Sequence, residues 1–395
     1  MLTTDVLVVG AGPVGSAATA TLAAAGVDVL VCEAGESVAA DLRASTFHPP
    51  TLEMLDELGI VDDMLAYGLR APVYHFRERR SGETIAFDMG ELADDTRFPF
   101  RLQCEQHVMA GMLAERIKRS SNARMLFGHR ATDVRQTDDY AVVSIESVHG
   151  SEDVKARYVI AADGAGSTIR KRLGVGFDGF TYPEKFLCLS TTFDLAEHID
   201  DLCYVNYIAD PQEWLVLLRA PSAWRVLLPA DEQRTDKDLL SDATAAAAFE
   251  GLVGTNSVRT VHRTIYRVHQ RVVERFDHGR VLLAGDAAHL NNPLGGFGMN
   301  SGIHDVWNLK PRILHCLEHG HESEQFVAYD RERRAVTHAF IQAQTMQNKE
   351  LLEHGAEEGH ARRFARMRQT AEDPKRRRDY LLRQSMISSL QESPS

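Results

Sequence analysis

The chain has no Cys-x-x-Cys pair, and its five cysteines, Cys32, Cys104, Cys188, Cys203 and Cys316, are scattered and odd in number. That pattern indicates neither a disulfide framework nor a zinc or other metal site, and it fits a reducing compartment. Positive charge is also short. The formal net charge is -12, whereas a nucleic-acid partner would favour a basic face. The one basic run, Lys375-Arg376-Arg377-Arg378, reads as a solvated helix face rather than a binding patch. No apolar run approaches the length needed to cross a bilayer, so no membrane is expected. Met1 to Asp5 place no basic segment ahead of the first apolar run, so no signal peptide is read and a cytoplasmic protein is expected. Internal repeats and low-complexity linkers are absent, so a second domain is expected to be inserted rather than appended.

What remains is the makeup of an ordinary globular protein. The 395 residues are 44% hydrophobic and 25% charged, enough for two packed units. Asp5 to Val9 is an apolar, β-branched run, the pattern of a strand buried on both faces. Residues 12–25 are small and Ala-rich, as in a helix lying close on a sheet, and Val27 to Cys32 reads as a second buried strand. The opening is therefore a strand–helix–strand unit with a parallel sheet. Further along, Leu52 to Leu58 reads as a helix, 72–88 as a hairpin and 105–119 as a helix. Strand-like runs follow from Lys185 to Pro229, then a helix at 236–250, a strand at 257–269 and a last core strand at Val281 to Ala284. Beyond that the pattern is helical.

Three turns carry chemistry. Gly10-Ala11-Gly12-Pro13-Val14-Gly15 follows the first strand and opens the first helix. There the first glycine permits a tight turn, the second admits a pyrophosphate, and the third lets helix and strand approach. Glu33 ends the second strand about 20 residues on, where an acid can bind ribose hydroxyls. It would also repel a 2′-phosphate, which argues against NADP at this site. The fingerprint alone does not choose between FAD and NAD. A second buried strand runs into Asp163-Gly164 and a helix starting near Ser167. A third runs into Gly285-Asp286, followed by the turn Asn291-Asn292-Pro293-Leu294-Gly295-Gly296-Phe297-Gly298-Met299-Asn300. A glycine-rich helix start offers free N–H groups and a positive dipole end, suited to the negative charge on a reduced flavin's pyrimidine ring.

In this order the three motifs resemble those of the flavoprotein aromatic hydroxylases typified by para-hydroxybenzoate hydroxylase, over roughly residues 4–340. The resemblance implies an α/β fold: a Rossmann-like FAD-binding domain, an inserted mainly β substrate domain, and C-terminal helices. The expected division is 1–71, 97–180 and 271–340 for FAD, 72–96 and 181–270 for substrate, and 341–395 as a helical segment. It implies that Asp163 lies near both flavin and nicotinamide route, and that Asp286 and Gln103 lie beside the ribityl chain. Arg43 would sit near the FAD phosphates, with Gly295, Gly298, Met299 and Asn300 around the flavin. Tyr207 resembles the family's substrate-contacting tyrosine, and Pro293 would offer its carbonyl near the reacting hydroxyl. His48 could face the ring or simply start a helix before Pro49-Pro50.

The implied chemistry is hydroxylation of a small phenolic or N-heteroaromatic ring. NADH or NADPH, bound transiently, reduces FAD; O₂ adds to give a C4a-hydroperoxyflavin, which delivers the hydroxyl. Departures from the family pattern exist. Phe297 stands where many members have Gln, and Asn291-Asn292-Pro293 replaces a pair of prolines. Lys310-Pro311-Arg312 is expected to kink or end the helix from about 298. Leu218 and Ala220 fall near positions of the family's carboxylate-binding Ser and Arg, which implies that the substrate either lacks that carboxylate or is anchored elsewhere, by Arg219 or Arg225. A flavin-dependent reductase is the rival reading. The three tryptophans form no Trp-x-Trp-x-Ile-Pro halogenase element, and a retired FAD platform need not keep Asp163 and Asp286. The tail could cover the substrate domain or serve a homodimer contact.

Overall fold

The computed structural model of the protein describes residues 1–38, 44–210, 213–352 and 357–391. Its first sheet is built on the strand Leu2–Val9, which pairs in parallel with Gly150–Ala161 on one side and Val29–Cys32 on the other. Val281–Leu283 extends the sheet beyond Ala161, and Ala123–Leu126 extends it beyond Cys32. These strands are nearly continuous apolar runs because helices or a further strand layer cover both faces. Pro13–Ala24 packs on one face through Ala18 and Leu22, both buried. Asp277–His278 forms the edge beyond Val281–Leu283, and the antiparallel hairpin Arg130–Gln136 and Ala141–Ser147 completes the eight strands.

A second sheet of eight strands is mostly antiparallel and runs from His289–Leu290 to Thr84–Asp88. Its middle is Asp178–Thr191, Trp224–Ala230, Leu215–Arg219 and Val205–Ala209, and its far edge is the hairpin 73–88. Thr46–Phe47, Arg101–Gln103 and Leu69–Ala71 form a small third sheet.

Several element bounds differ from the sequence reading. The helix expected at 236–250 is two helices, Asp236–Leu239 and Asp242–Val253, capped by Thr235 and Ser241. The strand expected at 257–269 is His262–Val272. The helix Phe297–His319 does not end at Pro311. That proline faces solvent, so the carbonyl of Trp307, left without its N–H partner, can be hydrated.

The tail covers the edge of the second sheet. Phe364 packs on Phe76 and Tyr380 on Phe87, with ring centroids 5.7 and 4.7 Å apart. The basic run is not simply solvated: Arg377 pairs with Glu91 at 2.8 Å and Arg378 with Asp95 at 2.9 Å. Its charge docks the tail. Among the described residues no helix is long and apolar enough to cross a membrane.

Candidate active site

Three adjacent parallel strands end in register, Val9 beside Ala161 and Ala161 beside Leu283. The three turns read from the sequence leave those carboxyl ends side by side. Backbone bonds tie them: Ala162 N–H donates to Val9 O at 2.9 Å, and Ala284 N–H to Ala161 O at 3.0 Å. A crevice outside the carboxyl ends of parallel strands is where open α/β sheets bind ligands. A cleft of about 410 Å³ opens there, lined by Gly12, Pro13, Val14, Ala162, Gly164, Ala165, Ala284 and Asp286. Its opposite wall is the second sheet, through Cys188, Tyr207, Val216, Leu218, Arg225, Leu227 and Val268.

The glycines divide their tasks as their surroundings demand. Gly10 has φ +97°, and a Cβ there would lie 2.6 Å from Ala162 O. A Cβ on Gly15 would lie 1.8 Å from Gly10 O, so only glycine lets the helix come this close. Gly12 meets nothing within 4 Å and faces the cleft. The helix that follows has no side-chain cap and no acid in its first turn. Its first N–H groups are left for a ligand. Glu33 holds the turn from behind, accepting from Ala11 N–H and Gly35 N–H at 2.8 Å each.

Asp163 does not line the cleft. Its carboxylate accepts from Ser167 Oγ at 2.5 Å and from Thr168 N–H at 2.7 Å, capping the next helix while its neighbours line the cavity. Arg170 then staples two turns together, donating to Ala165 O at 2.7 Å and Ala287 O at 3.0 Å. The Gly285-Asp286 turn has a buried support that the sequence reading missed. Asp305 accepts from Gly285 N–H at 3.0 Å, His289 Nε2 at 2.9 Å and Arg333 Nε at 2.7 Å. Burial alone would raise this carboxyl, yet Arg333 and His289 hold it at about 2. Asp286 itself reaches the cleft.

The loop from Asn291 turns across the cleft into the helix at Phe297. Pro293, Gly295, Gly296, Phe297, Gly298 and Met299 line it, and Gly295 and Gly296 both have left-handed backbones. The helix again begins without a side-chain cap or an acid. Asn300 is buried behind the loop, donating to Thr46 O at 2.9 Å and Gly296 O at 2.7 Å, and accepting from His48 N–H at 3.0 Å. His48 is likewise behind the loop and not in the cleft. Its Nε2–H donates to Gly295 O at 2.8 Å, so the buried Nδ1 carries the lone pair. Burial, then Arg101, keeps its pKa well below the ordinary histidine value. Phe297 stacks on His48 at 5.2 Å and packs with Val336, Phe340 and Met386, which accounts for an apolar residue there. Asn292 is pinned to the tail: its Nδ2 donates to Thr345 O at 2.9 Å.

Residues 3–344 match the FAD binding domain family. A para-nitrophenol 4-monooxygenase of Pseudomonas sp. (strain WBC-3) is 32% identical over 336 residues, covering 84% of this chain and 83% of the relative. The chain belongs to the FAD-dependent aromatic monooxygenase family. A 6-hydroxy-3-succinoylpyridine 3-monooxygenase of Pseudomonas putida (strain DSM 28022 / S16) is 30% identical over 343 residues, covering 83% and 84%. The crystal structure of a p-nitrophenol 4-monooxygenase from Pseudomonas putida DLL-E4 matches with TM-score 0.93 at 29% identity, over 100% of both chains.

For this monooxygenase family the residues present fit the cofactor FAD. Two uncapped helix starts face one cleft, Gly12 leaves room for phosphate, and the amide Nε2 of buried Gln103 has no partner among the described residues. Gln103 lies beneath the cleft wall, its Oε1 accepting from Thr46 Oγ1 at 3.1 Å. Arg43 lies outside the described residues. Gln106, Ser45 and Thr46 line the cleft and were not foreseen, because no local pattern marks them. Arg225 lines it too, donating to Ser45 Oγ at 3.1 Å. Arg219 points away, to Ala220 O and the Trp224 ring.

Proposed function

We propose that this monooxygenase hydroxylates a small phenolic or hydroxypyridine ring, with NADH or NADPH as the transient reductant. One observation carries the reading. A single cleft has the three dinucleotide turns on one wall, and Tyr207 with a ring-sized apolar surface on the other. Bound FAD supplies the electron transfer and the activation of O₂. The chain's own residues would hold and shield the reactants. Gly12, Pro13 and the helix start behind them would take the pyrophosphate, and Asp286 the ribityl hydroxyls. The uncapped helix start at Phe297, with Gly295, Gly298 and Met299, would face the flavin ring.

Val216, Leu218, Leu227 and Val268 make the substrate wall apolar, which excludes water from the reacting centre. Tyr207 would hold the ring hydroxyl, with the Pro293 carbonyl close by. Leu218 offers a carboxylate nothing, so any acidic substituent would be met by Arg225. The expected substrates follow the relatives named for a nitrophenol and for a hydroxylated pyridine. Purified protein should be yellow with FAD, and its NAD(P)H oxidation should rise with nitrophenols or hydroxypyridines, giving oxygenated product. Coenzyme oxidation without oxygen uptake would replace this reading by a reductase.

A further inference from the structure

Among the described residues Arg101 is a buried cation with no anion beside it. It lies on the central strand of the small third sheet and is 1% exposed. Its Nη1 donates to Tyr207 Oη at 3.1 Å, its Nη2 to Gln384 O at 3.3 Å, and its guanidinium carbon sits 4.3 Å from the Tyr74 ring centre. Its Nε has no partner among the described residues. Among the described residues no carboxylate lies within 4.0 Å of it. The titratable groups that face it are Tyr207, Tyr74, Tyr380 and His48, none of them a carboxylate. An arginine stays protonated, and a buried charge left uncompensated is strongly destabilising.

The direction of the bond to Tyr207 matters. The guanidinium can only donate, so Tyr207 Oη accepts, and its own proton is free to be donated. No acceptor for it exists among the described residues, and Tyr207 lines the cleft. A hydroxyl polarised by a cation behind it is a strong donor to a negative oxygen and a poor acceptor from a neutral phenol. We propose that Arg101 is a positioning residue which, through Tyr207, makes the site select its aromatic substrate in the ionised, phenolate form. This rests on the phenol-hydroxylase reading above. The phenol proton stays in solvent, because the anion is the species bound. It also gives the cleft its electron-rich ring before any oxygen transfer, since a phenolate is more reactive than a phenol.

The probe is 4-nitrophenol, whose ionised form absorbs visible light, titrated into the FAD-loaded, oxidised protein across a pH series. The wild type should lower the apparent pKa of the bound phenol by at least about one unit, tenfold in its ionisation constant. Arg101→Met should abolish the shift, Arg101→Lys should restore part of it, and Tyr207→Phe, which keeps the cation but removes the donor, should lose most of it. If Arg101→Met does not fold, Arg101→Gln, which can still donate to Tyr207 but carries no charge, decides in its place. Unshifted binding in the wild type, or an unchanged shift in folded Arg101→Met, in Arg101→Gln or in Tyr207→Phe, overturns the proposal. Coenzyme oxidation and product formation by the wild type tests the hydroxylase reading separately, so one can fail while the other stands.

Discussion

The side-chain amide of Gln384 donates to Asn348 Oδ1 at 2.9 Å, joining the end of the helix Pro374–Gln384 to the helix Ala343–Leu352. Asn348 passes the connection on, its Nδ2 donating to Leu294 O at 3.2 Å in the loop over the cleft. Because Gln384 O accepts from Arg101, one chain of bonds runs from Tyr207 through the tail to the loop over the cleft. Asn348→Ala leaves two buried amides and one carbonyl short of a partner. The expected loss is about 1–3 kcal/mol in denaturant unfolding. Its sharper signature is uncoupling: more peroxide and less hydroxylated product for each coenzyme oxidised. Unaltered coupling would mean that the tail only covers the sheet.

Gly12 and Gly15 are three residues apart and should fail in different ways. A methyl group on Gly15 would overlap Gly10 O, so Gly15→Ala must push the helix off the sheet. It should yield little folded protein. Gly12→Ala meets nothing within 4 Å and should fold with ordinary stability. Its methyl would stand where phosphate must approach, and FAD affinity should fall by roughly tenfold or more, about 1.4 kcal/mol. Fluorescence titration of apoprotein with FAD distinguishes the two, and equal FAD affinity for Gly12→Ala and wild type would count against the phosphate assignment.

How much was legible follows from the range of each interaction. The parallel strands were readable because both of their faces are buried, leaving unbroken apolar runs ending at Gly10, Asp163 and Gly285. The pairing of Arg101 with Gln384 spans 283 positions, and that of Asn300 with Thr46 spans 254. No local pattern encodes such contacts. Asp163 shows the opposite limit. Its place at the strand end was right, but its carboxylate caps a helix, a role any Asp-Gly turn could have. The sequence reading of Lys375 to Arg378 as a solvated helix face holds for exposed Lys375 and Arg376, but it missed the pairing of Arg377 and Arg378 for want of the acids opposite, Glu91 and Asp95.

Asp305 is the buried charge on which the Gly285-Asp286 turn rests. Removing it leaves Arg333, which is 2% exposed, without a counter-charge and Gly285 N–H without an acceptor. Asp305→Asn keeps the shape and removes the charge. Breaking a buried ion pair in this way costs about 3–5 kcal/mol, and FAD binding should weaken with it because the turn loosens. A thermal melt of apoprotein and holoprotein, compared with wild type, checks both. A melt within a degree or two of wild type would show that the pair is not what holds the turn.

Two histidines set an acid limit to stability. Burial, then Arg333, pushes His304 down to about 3, and burial, then Arg101, also lowers His48. Both folded values lie below the unfolded value of about 6.5, so the unfolded chain takes up protons that the native state refuses. The stability they give is therefore complete above that pH and is lost as pH falls through 6 and 5. The slope should be about 1.4 kcal/mol per pH unit for each histidine once the unfolded chain is fully protonated. His304→Gln should remove about half of that slope between pH 6.5 and 5 in urea titrations, and a slope left intact would assign it elsewhere.

Pro311 is a cost the helix Phe297–His319 carries without return. It sits eight residues before the end of the helix, exposed, where its ring donates no hydrogen bond to Trp307 O. A proline inside a helix costs about 3 kcal/mol relative to alanine, partly offset because it also restricts the unfolded chain by up to about 1 kcal/mol. Pro311→Ala should thus raise stability by roughly 1–2 kcal/mol, less if the helix has already adjusted. The change lies far along the helix from Phe297 and Met299, so FAD affinity and turnover should stay as they are. A gain in denaturant midpoint with unchanged kinetics is the expected result. A loss of stability would mean that Pro311 itself helps seat Leu309 and Ile313 in the core beside the first sheet.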